Sequence, residues 1–518
     1  MADEARSPIP YKWAVLLVTI PAVMVVIIDT TVVNVALAKL GAIFGVDIST
    51  VQWVITGFAL ALGIVTPLAA YLERRFTMKR VWLLCLITFT VASIICGLSP
   101  AFWVLIVARV AQGLAGGLLI PIAISAIFQA FPAGQRGAAM GAFAIPMVAG
   151  PALGPTMGGY IVTYQDWRLI FFINVPIGAL AVLLGLWLLH PGTPETTARF
   201  DWVGAILSSV AFGSVLYGLS RVGSQGWSSM EVRGLLGLGV SSLIIFIVYE
   251  VQQDDPLLDM RLFGIPQFFV ANTVGWVSAI ALFGAEFMLP LYLQELRGIT
   301  ALDTGILLLP QGLSIAVAGP IGGRLVDRIG ARPVVLFGFA LLALNTWQMS
   351  HLTLDTTFAT LRWLLVARGL ALGFTLQPTS LVSMSVVPPR QRTNASSVNT
   401  AMRSIFQSFG VAMLSTIVQS QTAVHTAELS WQVQPGTMQA TFLTQLSGMF
   451  QAAGLSLQAA QAAGIQTVLG QLTRQAAVLG FADAYGVTFV AAVAAIGLAF
   501  FLPGRPLHTD PALMAGGH

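Results

Sequence analysis

Runs of about twenty apolar residues recur along the whole of this 518-residue chain, and each is long enough to carry a helix across a hydrocarbon core of roughly 30 Å. They lie at about 14–36, 52–72, 81–98, 101–123, 137–161 and 167–189, then at 201–221 and 234–252. Six more follow at 267–293, 304–324, 333–351, 358–384, 394–418 and 480–502. A segment in lipid has to satisfy its own backbone N–H and C=O groups, which a helix does internally. The fold class is therefore an all-α polytopic membrane protein with fourteen transmembrane helices. Only 9% of the residues are charged, against about 25% in soluble chains, which excludes a soluble globular protein. A dispersed net charge of +4 argues against nucleic-acid binding, and Cys85 and Cys96, within one apolar run, read as small buried hydrophobes with no metal or redox role. The first run is expected to remain in the mature chain, because it is too long for a signal peptide and carries Asp29 and Asn34 near its end.

An even number of spans puts both termini on one side. With that side as the cytoplasm, fifteen Lys and Arg fall on inner segments and seven on outer ones, so the positive-inside rule places both termini in the cytoplasm. Two internal echoes suggest a duplication. FPAGQRGAAMG, from Phe131, is answered by VPPRQRTNASSV, from Val387, and YLERRFTMKR, from Tyr71, by RLVDRIGARP, from Arg324. The offsets are 256 and 253; Asp29 with Glu286 and Arg109 with Arg368 give 257 and 259. Near-constant offsets point to two homologous six-helix halves with two inserted helices. The divisions are 1–190, 191–266, 267–503 with an outer loop at 420–478, and a cytoplasmic tail at 504–518. Two repeats around a midplane site is an architecture of secondary transporters, and the chain carries no phosphate-binding loop or metal-ligand cluster. It is not read as an enzyme.

From Gly141 the chain reads GAFAIPMVAGPALGPTMGG, placing Gly141, Gly150, Gly154, Pro155, Gly158 and Gly159 in a fixed pattern in the fifth span. This resembles the antiporter motif of major facilitator drug exporters. Small residues there let the helix approach a neighbour closely, and Pro155 removes a hydrogen bond. IDTTVVNVALA from Ile28, RVAQGLAGG from Arg109 and DWRLIFFINVPIG from Asp166 are similar to stretches of the fourteen-helix drug:proton antiporter family. Gly323, Asp327, Arg328, Gly330 and Arg332 match the superfamily's cytoplasmic loop motif, whereas the first copy has Arg74 at the acid and Thr77 at the glycine. Within the family the chain resembles the Emr-type multidrug exporter subunit. The resemblance implies the major facilitator fold, export of lipophilic drug-like molecules by alternating access, protons as coupling ion with no cofactor, and the bacterial inner membrane. It also implies a periplasmic adaptor that hands cargo to an outer-membrane channel, and hence a place in antibiotic resistance.

Two acids lie well within spans, Asp29 and Glu286. A charge at a helix centre costs on the order of 2.5–3.5 kcal/mol, so such groups face a cavity or a partner and usually have a function. Asp29 lies roughly 24 Å above the start of its helix and Arg109 roughly 12 Å below the outer end of its own. An Asp29–Arg109 pair across the first and fourth helices follows, with a purely structural ion pair as the plainer reading. Arg368 and Glu286 occupy corresponding places in the second half. Glu286 is a second proton site, a selector for cations or an acid hydrated near the outer surface; the sequence leaves these open. Asn399, Arg403 and Gln407, at spacing four, share one helix face and would line the cavity. Asn34, Gln112, Met147, Gln311, Arg368 and Gln377 complete the cavity candidates, although the glutamines also suit hydrogen bonds between helices.

The outer segment at 420–478 is rich in Gln and Ala and reads as an amphipathic helical cap that meets the adaptor, or as a plain linker. Two rivals to drug export remain. One is export of an endogenous lipid, siderophore or metabolite on the same scaffold, and the other a membrane sensor or scaffold that transports nothing.

Overall fold

The structure is a computed structural model that describes residues 9–195, 199–431 and 438–505, without the side chains of residues 38, 48–49, 148–149, 151–152, 282–287, 301 and 431–443. The expected tail thus lies outside the described residues from 506 onward. The chain is all helical. The first six spans are α1 (Tyr11–Val32), α2 (Trp53–Val65), α3 (Met78–Leu98), α4 (Phe102–Ala130), α5 (Arg136–Tyr164) and α6 (Asn174–Leu188). Two more, α7 (Trp202–Gln225) and α8 (Met230–Gln252), pair with each other. Then come α9 (Pro266–Leu291), α10 (Ala301–Ile329), α11 (Ala331–Met349), α12 (Phe358–Ser385) and α13 (Arg392–Trp431), followed by a short α14 (Met438–Ala452) and a final α15 (Leu457–Ala499). Among the described residues eleven helices are long and apolar enough to cross a membrane. The other three expected spans, α5, α9 and α11, have 29, 26 and 19 residues, enough for a 30 Å core at about 1.5 Å per residue.

Glycines bring the helix backbones together, and they do so in register in the two halves. A Cβ on Gly113 would lie 2.3 Å from the Phe58 carbonyl oxygen and one on Gly117 2.3 Å from that of Leu62, so α4 and α2 touch backbone to backbone. In the second half, Gly369 stands against the Gln311 carbonyl and Gly373 against Ala318 and Gly319, joining α12 to α10. Both pairs are separated by 256 residues. With helices equally apolar on all sides, such close approach is what binds them in lipid.

The antiporter-motif glycines divide between two neighbours. Gly150, Gly154 and Gly158 press on Ile27, Thr31 and Val32 of α1, and a Cβ on Gly154 would sit 1.9 Å from Thr31 Oγ1. Gly141 instead meets the backbone of Gly319 and Pro320 on α10, and Gly137 that of Gly323. Helix α5 runs unbroken through Pro155 and packs on α1 in its own half and on α10 in the other.

The outer segment differs from a separate cap. Helix α13 extends 40 residues and α15 extends 43, each about 60 Å, or twice the hydrocarbon thickness. They continue beyond the spans packed on each other, and α14 packs on α15.

The degenerate loop motif has a conformational consequence. Gly330 adopts φ 88°, ψ 167°, and Thr77, at its place in the first half, is held at φ 77°, ψ 149°. Only glycine enters that region freely, and a β-branched residue there stores roughly 1–3 kcal/mol. Thr77→Gly is therefore expected to stabilise the folded protein by about 1 kcal/mol after the entropy cost of glycine. A higher midpoint of thermal unfolding in detergent checks it; a lower one would mean that the Thr77 side chain, packed near Gly192, contributes more than the strain.

Candidate functional site

The end of α1 carries Asp29 into the centre of the first half, where neither it nor Arg109 has any exposed surface. Helix α4 presents Arg109 one turn before Gly113, the residue that lets α4 lie against α2. The same close approach lets Arg109 Nε donate to the Val54 carbonyl at 2.9 Å. Its Nη1 donates to Asp29 Oδ2 at 2.5 Å and to Gln112 Oε1 at 3.0 Å. The Phe58 ring lies 4.2 Å from the guanidinium carbon, a cation–π contact. Asp29 Oδ1 accepts from Asn174 Nδ2 at 2.7 Å and from Gln112 Nε2 at 3.4 Å, and Gln112 Nε2 also donates to Ser93 Oγ at 2.7 Å.

Helices α1, α2, α3, α4 and α6 thus meet at one polar point inside apolar surroundings. Burying a charge pair gains little net stability, whereas removing one member leaves a buried charge that costs about 3–5 kcal/mol. Two polar atoms of the cluster, Arg109 Nη2 and Asn174 Oδ1, have no hydrogen-bond partner among the described residues.

At the end of the bundle that holds Arg136 and Arg392, the halves are latched together. The Asp327 carboxylate accepts from the N–H groups of Gly137 at 3.1 Å and Ala138 at 3.3 Å, capping α5 from the other half. Ser125 Oγ and Thr393 Oγ1 are 2.6 Å apart, and Arg392 Nη1 donates to the Phe128 carbonyl at 3.2 Å. Of the loop motif, Gly323 supplies the close contact with Gly137 and Gly330 the positive φ. Arg332 turns to the carbonyl of Leu502, and Arg328 is exposed.

A second polar site lies in the other half. Asn399 and Arg403 of α13 line a small pocket with Asn272 and Gly275 of α9 and Thr379 and Ser380 of α12. Gln407 continues the same face and is half-buried.

The remaining candidates scatter. Gln112 belongs to the Asp29 cluster. Gln311 and Gln377 are buried, Asn34 is exposed in the turn after α1, and Met147 is half-buried on α5. Arg368 is buried with Nη1 3.9 Å from Met349 Sδ. Counting 256 residues back along α12 puts Arg368 on Gln112, and counting 253 back along α11, the offset between Thr77 and Gly330, puts Met349 on Cys96, a pair that is also in contact. The glycine register therefore corrects the expected match: Arg368 is the counterpart of Gln112, not of Arg109. Glu286 belongs to α9, and its side chain lies outside the described residues.

Asn174, Ser93, Asn272, Thr379 and Ser380 were not singled out from sequence. Asn174 and Asn272 carried a usable signal, being lone amides in apolar spans. Serine and threonine did not, because they commonly bond their own helix backbone, as Thr379 does to Thr375 and Leu376.

The chain matches the family model described as Major Facilitator Superfamily over residues 19–411. It is 32% identical over 427 residues to the uncharacterized MFS-type transporter YhcA of Bacillus subtilis, covering 82% of this chain and 80% of that one. It is 30% identical over 479 residues to the multidrug export protein EmrB of Escherichia coli K12, covering 92% of each. With the lincomycin resistance protein LmrB of Listeria monocytogenes it shares 28% identity over 421 residues, 81% of this chain and 89% of the relative. Two solved structures are alike in fold at low identity. The proton:xylose symporter XylE has a TM-score of 0.61 at 14% identity, with 98% of each chain covered. A bacterial homologue of the lysosomal transporter Spinster has 0.53 at 16%, with 99% of each covered. The chain belongs to the Major Facilitator Superfamily and is a multi-pass membrane transporter of small molecules, not an enzyme.

Proposed function

We propose that this protein is a proton-coupled exporter of lipophilic, drug-like molecules in the bacterial inner membrane, with both termini in the cytoplasm. The observation that carries the reading is the fully buried Asp29–Arg109 pair, since ionisable groups inside a membrane span usually mark a functional site. Similarity to EmrB over 92% of both chains, and to LmrB, supports drugs as the cargo.

Proton exchange at Asp29 has a mechanical consequence. The ionised carboxylate accepts from three donors, Arg109 Nη1, Asn174 Nδ2 and Gln112 Nε2. A protonated carboxyl loses the charge that holds Arg109 and gains an O–H that needs an acceptor, which these three donor groups do not offer it. The cluster has to rearrange, and α1 has to shift against its neighbours. Ile27, Thr31 and Val32 flank Asp29 and bear on Gly150, Gly154 and Gly158, so a movement of α1 displaces α5. Helix α5 is held at its cytoplasmic end by Asp327 of the other half. Protonation from the outer side thus favours the return of the empty carrier, and deprotonation toward the cytoplasm accompanies capture of cargo. The described arrangement, latched at the cytoplasmic end, is the inward-closed member of that cycle.

The extension built from α13, α14 and α15 stands on the outer side in this orientation. It is the surface on which a periplasmic adaptor would sit, making the protein the inner-membrane pump of a three-part efflux system. The similarity to EmrB supports this partner.

Two outcomes follow. Asp29→Asn keeps the shape of the side chain but cannot titrate, so efflux driven by a proton gradient should fall to background while downhill exchange of labelled substrate across proteoliposomes persists. Gradient-driven efflux at the wild-type rate in that variant would remove Asp29 from coupling. Gly154→Leu should push α1 and α5 apart where a single methyl already meets Thr31. We expect it to reach the membrane in normal amount and to lose coupled transport, read as dye efflux from everted vesicles; normal transport would make the glycines ordinary packing residues.

A further inference from the structure

Within the spans the arginines are not treated alike. Arg109 has Asp29 as its counter-ion, and Arg368 is buried and engaged. Arg403, eleven residues into α13 and so roughly 16 Å from its start, is half-buried and makes no hydrogen bond or ion pair among the described residues. A guanidinium cannot shed its proton to escape this, since it stays charged throughout the physiological range. The described residues that line the pocket with it carry no charge, and Ala271 and Leu376 among them are apolar. Ser380 stands in the same pocket with a hydroxyl that makes no bond to the described residues, while Asn272 Nδ2 is occupied by the Phe268 carbonyl at 2.8 Å and Ser383 Oγ at 3.0 Å, leaving its Oδ1 without a partner among them. Asn399 Nδ2 also turns to Ser383 Oγ, at 3.5 Å, which occupies one of its two N–H groups. Among the described residues the donors left over are then the Arg403 guanidinium, the Ser380 hydroxyl and the second N–H of Asn399. Glu286 belongs to the same α9 as Asn272 but fourteen residues further on, about 21 Å along the helix.

We propose that Arg403 is the docking group for a carboxylate or similar anionic group on the cargo, so that the exporter selects amphipathic organic anions. This rests on the export reading above. A planar carboxylate presents two oxygens at the spacing of the guanidinium fork, and Ser380 adds a third donor. The apolar part of the cargo extends along the half-buried face of α13 past Gln407. The anion sits in the second half and the exchangeable proton in the first, so cargo and proton occupy separate sites.

The full-length protein in zwitterionic lipid nanodiscs tests this with three fluorescent probes: pyrenebutyrate, its methyl ester and a pyrene-bearing quaternary ammonium. The readout is the ratio of butyrate to ester affinity, which cancels general damage to the pocket. Arg403→Gln should lower that ratio by about 10- to 100-fold, the usual effect of losing a charged hydrogen-bond donor, and Arg403→Lys should recover much of it. A ratio unchanged in Arg403→Gln, or a wild-type protein that prefers the quaternary ammonium, overturns the proposal. So does loss of butyrate binding in discs rich in phosphatidylglycerol, which would give the site to a lipid phosphate. Transport of the three probes into everted vesicles separates the two readings. If the wild-type protein moves the ester but the binding ratio ignores Arg403, anion docking fails and export stands. If it moves none of them while the ratio still follows Arg403, export fails and the anion site stands.

Discussion

A carboxylate and a guanidinium without exposed surface fix the position of five helices at one point, and the geometry of the first half is organised around keeping them paired. Gly113 and Gly117 bring α4 onto α2, which puts the Val54 carbonyl within reach of Arg109. Asn174, at the start of α6, and Gln112, one turn from Arg109, supply the other donors to Asp29. In an apolar medium each of these bonds is strong and each omission expensive, so the cluster has few ways to be satisfied. That scarcity suits a switch: a change of one proton alters which arrangement is satisfied, and packed helices respond in discrete steps.

The route by which such a step would reach the other half is short. Helix α5 carries glycines on two faces, one against α1 beside Asp29 and one against α10. Asp327 completes the connection by capping α5 across the interface, the kind of contact that can be made in one state and broken in another. The halves are alike in backbone register but unlike in chemistry. Where the first has Gln112 against Cys96, the second has Arg368 against Met349, and Arg403 stands in its pocket without a counter-ion among the described residues. We read this as a division of labour, with protons handled in one half and cargo in the other.

Much of this was legible in the sequence because the bilayer simplifies the code. Span number, helix class and the closeness of Asp29 to Arg109 follow from length, apolarity and the cost of a buried charge. The glycine pattern from Gly141 to Gly159 announced close contact, although not that its members serve two different neighbours. What the sequence concealed was helix rotation about its own axis. An apolar helix surrounded by apolar neighbours carries no strong period, so Gln112, Gln311 and Gln377 read alike and only the structure separates them. Single-residue offsets misled for the same reason: 259 residues join two arginines, but the glycines that set helix contact run at 256. The outer segment was legible as helix and not as the continuation of α13 and α15, because its alanines and glutamines suit a helix in water as well as one leaving a membrane.

The central claim is that Asp29 gives up a proton when cargo is captured. Addition of a transported drug to the purified protein in weakly buffered detergent, followed with a pH-indicator dye, measures this without a membrane or a gradient. The account predicts acidification on binding by the wild-type protein and none by Asp29→Asn at a concentration that saturates it. Equal acidification from both proteins would contradict it, because the released proton would then come from another group.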